Sequence, residues 1–152
     1  MNPRAEPQST IERRPRRQSE AYPVVRDFLD EFARALTAGD GRAVAKLWET
    51  PAFVLGDEMV RVVQSPQEVE TFFAGAKEQY NAMGIAEARA EILELDWLTD
   101  RIVQVEARWP YQDSFGEELG YETSTYTLVR DDAGKLRLRI AVMHGAVMSS
   151  AH

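Results

Sequence analysis

The sequence predicts a single α+β domain in which three N-terminal helices pack into the concave face of a curved, mostly antiparallel six-stranded sheet, a cone-shaped barrel. Three observations predict this fold class. Apolar residues recur at three- and four-residue spacing in the first part of the domain, and they alternate with a period of two in the later part. The later segments are also separated by short turns, so helices come first and a long sheet follows.

The chain divides into a tail and one folded unit. Its 152 residues are the usual size of one domain, which buries a core without covalent cross-links. Residues 1–20 are rich in Pro, Arg, Gln, Ser and Glu, and a segment so poor in large apolar side chains does not offset the entropy of ordering. We predict a disordered tail over residues 1–20 and a domain over 21–148. The run Arg13-Arg14-Pro15-Arg16-Arg17 is either an arm for an anionic partner or an ordinary solvated tail.

Three helices are predicted before the sheet. The first has an apolar stripe that includes Phe28 and Phe32, and it ends at Gly39. Asp40 then caps a short second helix, which ends before Pro51. The run Ser65-Pro66-Gln67-Glu68 combines an N-cap, a first-turn proline and a capping-box glutamate, and it predicts the start of a third helix that runs to Gly84.

Six strands are predicted, the first two hinged at Gly56-Asp57. They cover Phe53–Leu55, Met59–Val63, Ala86–Trp97, Ile102–Trp109, Tyr121–Arg130 and Leu136–Val147. Alternation places Trp97, Trp109 and His144 on the apolar faces of their strands. Because six strands twist too much to lie flat, we expect the sheet to wrap the helices and leave a cavity at its wide end.

Cysteine and histidine usage limits the chemistry. The chain contains no cysteine, so it has no disulfide, thiolate metal site or thiol nucleophile, and it suits a reducing compartment such as the cytoplasm. Its two histidines are His144 and the terminal His152, which argues against a multi-histidine metal site. We predict no cofactor and no metal.

Charge and hydropathy limit the partners. The net charge of −7 separates into +2 for residues 1–20, from five Arg and three Glu, and −9 for the remainder. An acidic body repels phosphate backbones, so nucleic acid is not predicted as a partner. The apolar runs are far shorter than the roughly 20 residues of a membrane span, so no membrane is predicted either.

The order of elements resembles the nuclear transport factor 2-like superfamily, including its polyketide-cyclase-like and ketosteroid-isomerase-like branches. The resemblance covers residues 22–147, and four segments carry it: FARALTAGDGRAVAKLWE, AFVLGDEMVRVV, SPQEVETFF and YTLVRDDAGKLRLRIAVMHG. It implies the cone-shaped fold. It implies no particular activity, because the scaffold serves isomerases, dehydratases, cyclases, hydrolases and binding modules.

Against the steroid isomerase branch, the resemblance supplies an incomplete catalytic set. The tyrosine that helps to bind the oxyanion falls on Phe32, which has no hydroxyl group. The catalytic aspartate falls on Gly56 or, with a slip of one residue, on Asp57. The protonated acid of the oxyanion hole falls near Tyr126.

The residues themselves offer three catalytic candidates. His144 is either a general base in the cavity or a core histidine bonded to a neighbour. Tyr126 is either a hydrogen-bond donor to a ligand oxygen or a tyrosine at the edge of the core. Asp57 is either a carboxylate base, together with Glu58, or a residue that serves the turn. An apolar ligand pocket or plain core is predicted for the aromatic residues Phe32, Trp48, Phe53, Trp97 and Trp109.

Three functions remain open at this point. The leading one is a domain that binds a small hydrophobic molecule without catalysis and forms a homodimer through its outer sheet face. The second is a cofactor-free isomerase, dehydratase or cyclase acting on a carbonyl compound, with His144 or Asp57 as base and Tyr126 as donor. The third is an interaction module whose arginine tail and outer sheet engage another protein.

Overall fold

The computed structural model describes the chain from residue 5 to residue 148, with side chains described from Tyr22 onwards. Its helices are α1 (Ala5–Ala38), α2 (Gly41–Leu47), α3 (Pro66–Phe72) and α4 (Ala76–Ala82). Its strands are β1 (Trp48–Gly56), β2 (Met59–Val63), β3 (Glu87–Ala88), β4 (Glu91–Trp97), β5 (Ile102–Gln112), β6 (Glu118–Arg130) and β7 (Leu136–Met148).

The strands form one curved sheet with a single parallel neighbour pair among the described strands. The order is β2-β1-β7-β6-β5-β3, and β4 also pairs with β5. β1 runs parallel to β7, whereas the other pairs are antiparallel. This confirms the predicted fold class, with helices on the concave face of a mostly antiparallel sheet.

The helices begin where the sequence predicts caps. Asp40 accepts a hydrogen bond from the Ala43 amide at 3.0 Å, and this bond starts α2. Ser65 accepts from the Glu68 amide at 3.3 Å, and Glu68 in turn accepts from the Gln64 amide at 2.8 Å. Each bond satisfies an amide that has no partner inside its helix.

The core lies between α1, α2 and the concave side of the sheet. The stripe of α1 that begins at Val25 is buried, including Phe28, Leu29 and Phe32. It meets the inward side chains of the sheet, which include Val105 and Leu138. Helical spacing on one side and strand alternation on the other therefore supply the two apolar surfaces of one core.

The structure differs from the prediction in two details of element count. The third helix is broken at Gly75, whose φ of +84° is left-handed and suits glycine, so α3 and α4 are separate. The predicted strand Ala86–Trp97 is interrupted between β3 and β4, which makes seven strands where six were predicted.

The structure describes the backbone of the N-terminal segment from residue 5 and its side chains from Tyr22. α1 begins at Ala5, whereas the sequence predicts a disordered tail over residues 1–20. The side chains of residues 1–21, the arginine run included, lie outside the described part of the chain. The boundary between tail and domain stays a prediction.

Candidate functional site

An aromatic cavity of about 70 Å³ lies between α1 and the concave face of the sheet. α1, β1, the α3–α4 segment and strands β5 to β7 all contribute to its wall. Its lining residues are Phe32, Leu36, Trp48, Val54, Phe72, Phe73, Tyr80, Trp109, Glu122, Ser124, Tyr126, Ala141 and Met143. We call this space the aromatic cavity.

Edge-to-face contacts join the rings of the wall. Phe32 lies at the centre, with ring centroids 5.6 Å from Trp109, 5.9 Å from Tyr126 and 6.0 Å from Phe73. Phe73 also contacts Trp48, at 5.5 Å. Such tilted pairs match the positive edge of one ring to the negative face of another, so they fix the positions of the rings.

A buried hydrogen bond orients the sheet side of the aromatic cavity. The indole N–H of Trp109 on β5 donates to the Tyr126 hydroxyl on β6 at 2.9 Å. Burial raises the pKa of Tyr126, the hydrogen bonds from Ser124 and Trp109 oppose that rise, and the charge of Glu122 adds to it. The hydroxyl therefore stays protonated at neutral pH.

Glu122 and Tyr80 form the polar end of the aromatic cavity, and Tyr111 contacts Glu122 without lining the cavity itself. The Tyr111 hydroxyl donates to Glu122 Oε1 in a short contact. Burial, and then the charge of Glu122, raises the pKa of Tyr80 to about 12. The pKa of Tyr111 is raised by burial first and by the bond and charge of Glu122 next. Glu122 is the one formally charged side chain among the lining residues that the structure describes.

One wall residue has an unsatisfied donor. Trp48 is buried, and its Nε1 atom has no hydrogen-bond partner among the described residues. A buried indole N–H without a partner is costly unless water or a ligand satisfies it. The aromatic cavity next to Trp48 has room for about two waters, at roughly 30 Å³ each.

The α3–α4 segment lines the aromatic cavity with half-buried side chains, and we call this side of the cavity its mouth. Phe72 and Phe73 end α3, and Tyr80 reaches the cavity from α4. α4 has no fully buried residue, although Tyr80 is half-buried against the core, and glycines with positive φ, Gly75 and Gly84, lie on either side of it. The mouth is therefore the part of the wall that has the least packing to hold it.

Four of the predicted site residues do meet in one place. Phe32, Trp48, Trp109 and Tyr126 all line the aromatic cavity. Both Trp109 and Trp97 turn inward and are buried, as the alternation predicts. Trp97, however, packs elsewhere, under the Arg130 guanidinium at 4.8 Å from the ring centroid.

His144 does not point into the aromatic cavity, so the predicted orientation is wrong. A β-bulge in β7 is the reason: Leu128 pairs with Leu138 but Thr127 pairs with Ile140, which leaves Arg139 as an extra residue. One extra residue exchanges the two faces of a strand beyond it. His144 is exposed on the outer face, with its Nε2 atom 2.9 Å from Thr125 Oγ1.

Asp57 and Phe53 are also outside the aromatic cavity. Asp57 is exposed, and it forms the two-residue turn between β1 and β2 together with Glu58, because Gly56 pairs with Met59. Phe53 is 40% exposed on the outer face, since its neighbours Ala52 and Val54 are the inward residues of β1. The proposed base and donor therefore do not converge, and of the three predicted catalytic residues Tyr126 alone lies on the wall.

The polar end of the site was not predicted from the sequence. Glu122 and Ser124 precede Tyr126 by four and two residues on the same strand, so they share its inward phase. That alternation was the available signal. Tyr80 lies on α4, and nothing local in the sequence links it to Glu122 on β6.

A wider groove of about 770 Å³ lies between α1 and β3. Its lining includes Asp30, Arg34, Glu87 and Arg89, with alanines between them, and it offers no enclosed wall. Among the described residues, no group of three His, Cys, Asp or Glu side chains is placed to hold a metal ion. Within the same residues, no helix combines the length and apolar character needed to cross a membrane.

Comparisons with known proteins agree with the fold. A family model described as "NTF2-like protein (DUF6841)" matches residues 19–146. No curated protein matches the chain by sequence.

Solved structures share the fold at low sequence identity. Aln2 from a Streptomyces species has a TM-score of 0.64 at 20% identity, covering 82% of this chain and 90% of that one. An NTF-2 like protein of unknown function from Shewanella oneidensis MR-1 has a TM-score of 0.63 at 14% identity, with coverages of 82% and 98%. A ketosteroid isomerase-like protein from Erwinia carotovora atroseptica has a TM-score of 0.62 at 11% identity, with coverages of 86% and 98%.

Proposed function

We propose that this chain, which belongs to the NTF2-like family DUF6841, binds a small, mainly apolar molecule in the aromatic cavity, in the cytoplasm and without catalysis. The observation that carries the proposal is the wall itself. Aromatic side chains surround a space into which Glu122, Ser124 and Tyr126 present polar atoms. Ligand sites are typically apolar and aromatic with a few placed polar groups.

The size of the aromatic cavity limits how the ligand binds. About 70 Å³ is well below the roughly 300 Å³ at which ordinary ligand pockets begin. The ligand is therefore either very small or inserts only one end, with the rest at the mouth between Phe72 and Tyr80. The weak packing of α4 allows the mouth to adjust.

Mass spectrometry of compounds that co-purify with the native protein tests occupancy, and a matched pair of variants locates it. Ala141→Leu places a larger side chain in the aromatic cavity, and we expect it to abolish co-purification. Ala133→Leu makes the same change in the exposed turn before β7, and we expect it to retain the compound. Equal retention by both variants, with Ala141→Leu still folded, would contradict the proposal.

A reaction on a carbonyl compound is the second candidate function. One observation favours it with a different residue as the base. Glu122, a carboxylate, lies on the wall of the aromatic cavity and contacts the Tyr111 hydroxyl. His144 and Asp57 lie elsewhere. Proton exchange from carbon on a bound ketone, followed by NMR in D₂O, tests it. Exchange that stops in Glu122→Gln but continues in Asp57→Asn and His144→Gln supports this alternative, and no exchange removes it.

The outer face of the sheet supports the proposal of a homodimer. Strand pairing places Phe53 opposite both Val62 and Ile140, and Leu55 opposite both Val60 and Val142. These six side chains form one apolar patch across β2, β1 and β7, in which Val60 is 80% exposed. Contiguous apolar surface of this kind marks interaction sites.

Sedimentation measurements on the wild type and on Val60→Lys test the dimer. We expect the wild type to sediment as a dimer and the variant as a monomer, while Lys77→Glu on α4 remains a dimer. A monomeric wild type at high protein concentration would end this proposal. Deletion of residues 1–20 in the same experiment reports whether the arginine tail contributes to association.

A further inference from the structure

The lining of the aromatic cavity, as far as the structure describes it, carries a negative charge and no positive charge. Of the lining residues, Glu122 has a formal negative charge, and the described lining contains no Lys, Arg or His. An anionic group inside the cavity would therefore meet a carboxylate with no cation among the lining residues to offset it. The domain around the cavity is also acidic, since residues beyond 20 sum to −9.

The tyrosine hydroxyls show that this charge acts along the cavity. The pKa values of Tyr80, Tyr111 and Tyr126 are all raised, and after burial the charge of Glu122 contributes to each rise. Burial, the first cause at each position, disfavours charge of either sign, so the sign comes from the smaller contribution of Glu122, which opposes an anion and favours a cation.

The aromatic rings supply the second attraction for a cation. Seven lining side chains are aromatic: Phe32, Trp48, Phe72, Phe73, Tyr80, Trp109 and Tyr126. The face of such a ring attracts a cation, and ammonium groups are recognised by walls built from several rings. The mouth already shows one example, since the Arg61 guanidinium lies 5.0 Å from the centroid of the Phe72 ring.

We infer that the ligand of the aromatic cavity is a small organic cation, whose amine or methylated ammonium group sits among the rings and faces Glu122. A volume of about 70 Å³ suits such a head group and leaves the rest of the ligand at the mouth. This inference rests on the proposed binding function and names the chemical class of the ligand. In this inference Glu122 discriminates between ligands by their charge, and the aromatic rings discriminate between them by their size.

A series of three small probes that each carry one benzene ring and differ in charge tests the inference. Benzylammonium, benzyl alcohol and benzoate share a ring and differ in charge. Binding is followed by NMR at the indole N–H signals of Trp48 and Trp109, which report the cavity directly. We expect benzylammonium to bind at least about tenfold more tightly than benzyl alcohol, and benzoate to bind most weakly.

Two variants assign the preference to a residue. Glu122→Gln keeps the shape of the side chain and removes its charge, so we expect it to lose the preference for the ammonium. Glu94→Gln removes one charge from the exposed face of β4, away from the aromatic cavity, and we expect it to keep the preference. Equal loss in both variants would mean that overall charge selects the ligand and would overturn the role of Glu122.

The wild-type series separates the inference from the function on which it rests. If benzyl alcohol or benzoate binds as tightly as benzylammonium and shifts the two indole signals, the cation inference is wrong while the binding function stands. If none of the probes shifts these signals at high concentration, both are wrong. The wild-type result needs no variant, so it decides the question even where Glu122→Gln does not fold.

Discussion

Replacing Tyr126 with phenylalanine is a direct test of the buried hydrogen bond on the wall of the aromatic cavity. Tyr126 is 6% exposed and Trp109 is 4% exposed, and the indole N–H donates to the hydroxyl at 2.9 Å. The variant keeps the ring and its contact with Phe32 but removes the acceptor. The Trp109 N–H is then left buried without a partner.

The expected loss of stability follows from that orphaned group. Leaving a buried donor unsatisfied costs about 1–3 kcal/mol, whereas the ring contacts of the variant are unchanged. For a chain of this size each kcal/mol lowers Tm by about 2–4 °C, so a loss near 2 kcal/mol lowers Tm by about 4–8 °C. Urea unfolding followed by tryptophan fluorescence measures the free energy, and thermal unfolding measures Tm.

Tyr121→Phe is the matched control. Tyr121 lies on the same strand but faces outward, with the Arg108 guanidinium 4.2 Å from its ring centroid. Its hydroxyl makes no buried bond that the structure describes, so we expect a change below about 0.5 kcal/mol. If Tyr126→Phe and Tyr121→Phe unfold at the same urea concentration, the Trp109–Tyr126 bond does not stabilise the fold by the expected amount.

Three further outcomes are expected. The pKa of Tyr80 is raised to about 12 in the folded state, against about 10 in the unfolded chain. The unfolded chain therefore loses this proton first, and the free energy of unfolding falls as pH rises from 10 to 12. Urea unfolding across that range should show the fall, and the fall should be smaller in Tyr80→Phe. Amides of α4, which has no fully buried residue, should exchange with solvent faster than those of β6 in hydrogen-exchange mass spectrometry, and equal protection would contradict the weak packing of the mouth. Ser65→Ala removes the cap of α3 and should cost about 1 kcal/mol in urea unfolding, against no change for Ser114→Ala in the exposed loop between β5 and β6.

The elements of this fold could be predicted because local chemistry and tertiary packing agree. Asp40 and Ser65 both cap helices as their positions in the sequence indicate. The apolar stripe of α1 is the face that is buried, and Trp97 and Trp109 turn inward on strands whose alternation is regular near them. In these places the signal lies within a few residues, so a single sequence contains it.

The orientation of His144 could not be predicted, because a bulge leaves no clear local mark. The alternation of β7 runs through Leu136 and Leu138, and the extra residue Arg139 then exchanges the faces. Ala141 therefore lies inward, and His144, which unbroken alternation places inward, lies outward. The same happens in β4, where Leu93 falls between Ile92, paired with Ala107, and Glu94, paired with Glu106. Leu93 is consequently 51% exposed.

The two long strands β6 and β7 differ in whether a bulge exchanges their faces, and this difference explains why most polar side chains of the aromatic cavity lie on β6. Both bulges in the β6–β7 pairing place their extra residue on β7, so Glu122, Ser124 and Tyr126 keep an unbroken inward phase on β6. β7 changes phase at Arg139, and His144 therefore lies on the outer face. Curvature of the sheet needs such bulges, and in this chain the curvature that creates the aromatic cavity also removes the histidine from it. The remaining polar groups are a carboxylate and hydroxyls that stay protonated at neutral pH. A wall of that composition is suited to selecting a ligand by charge.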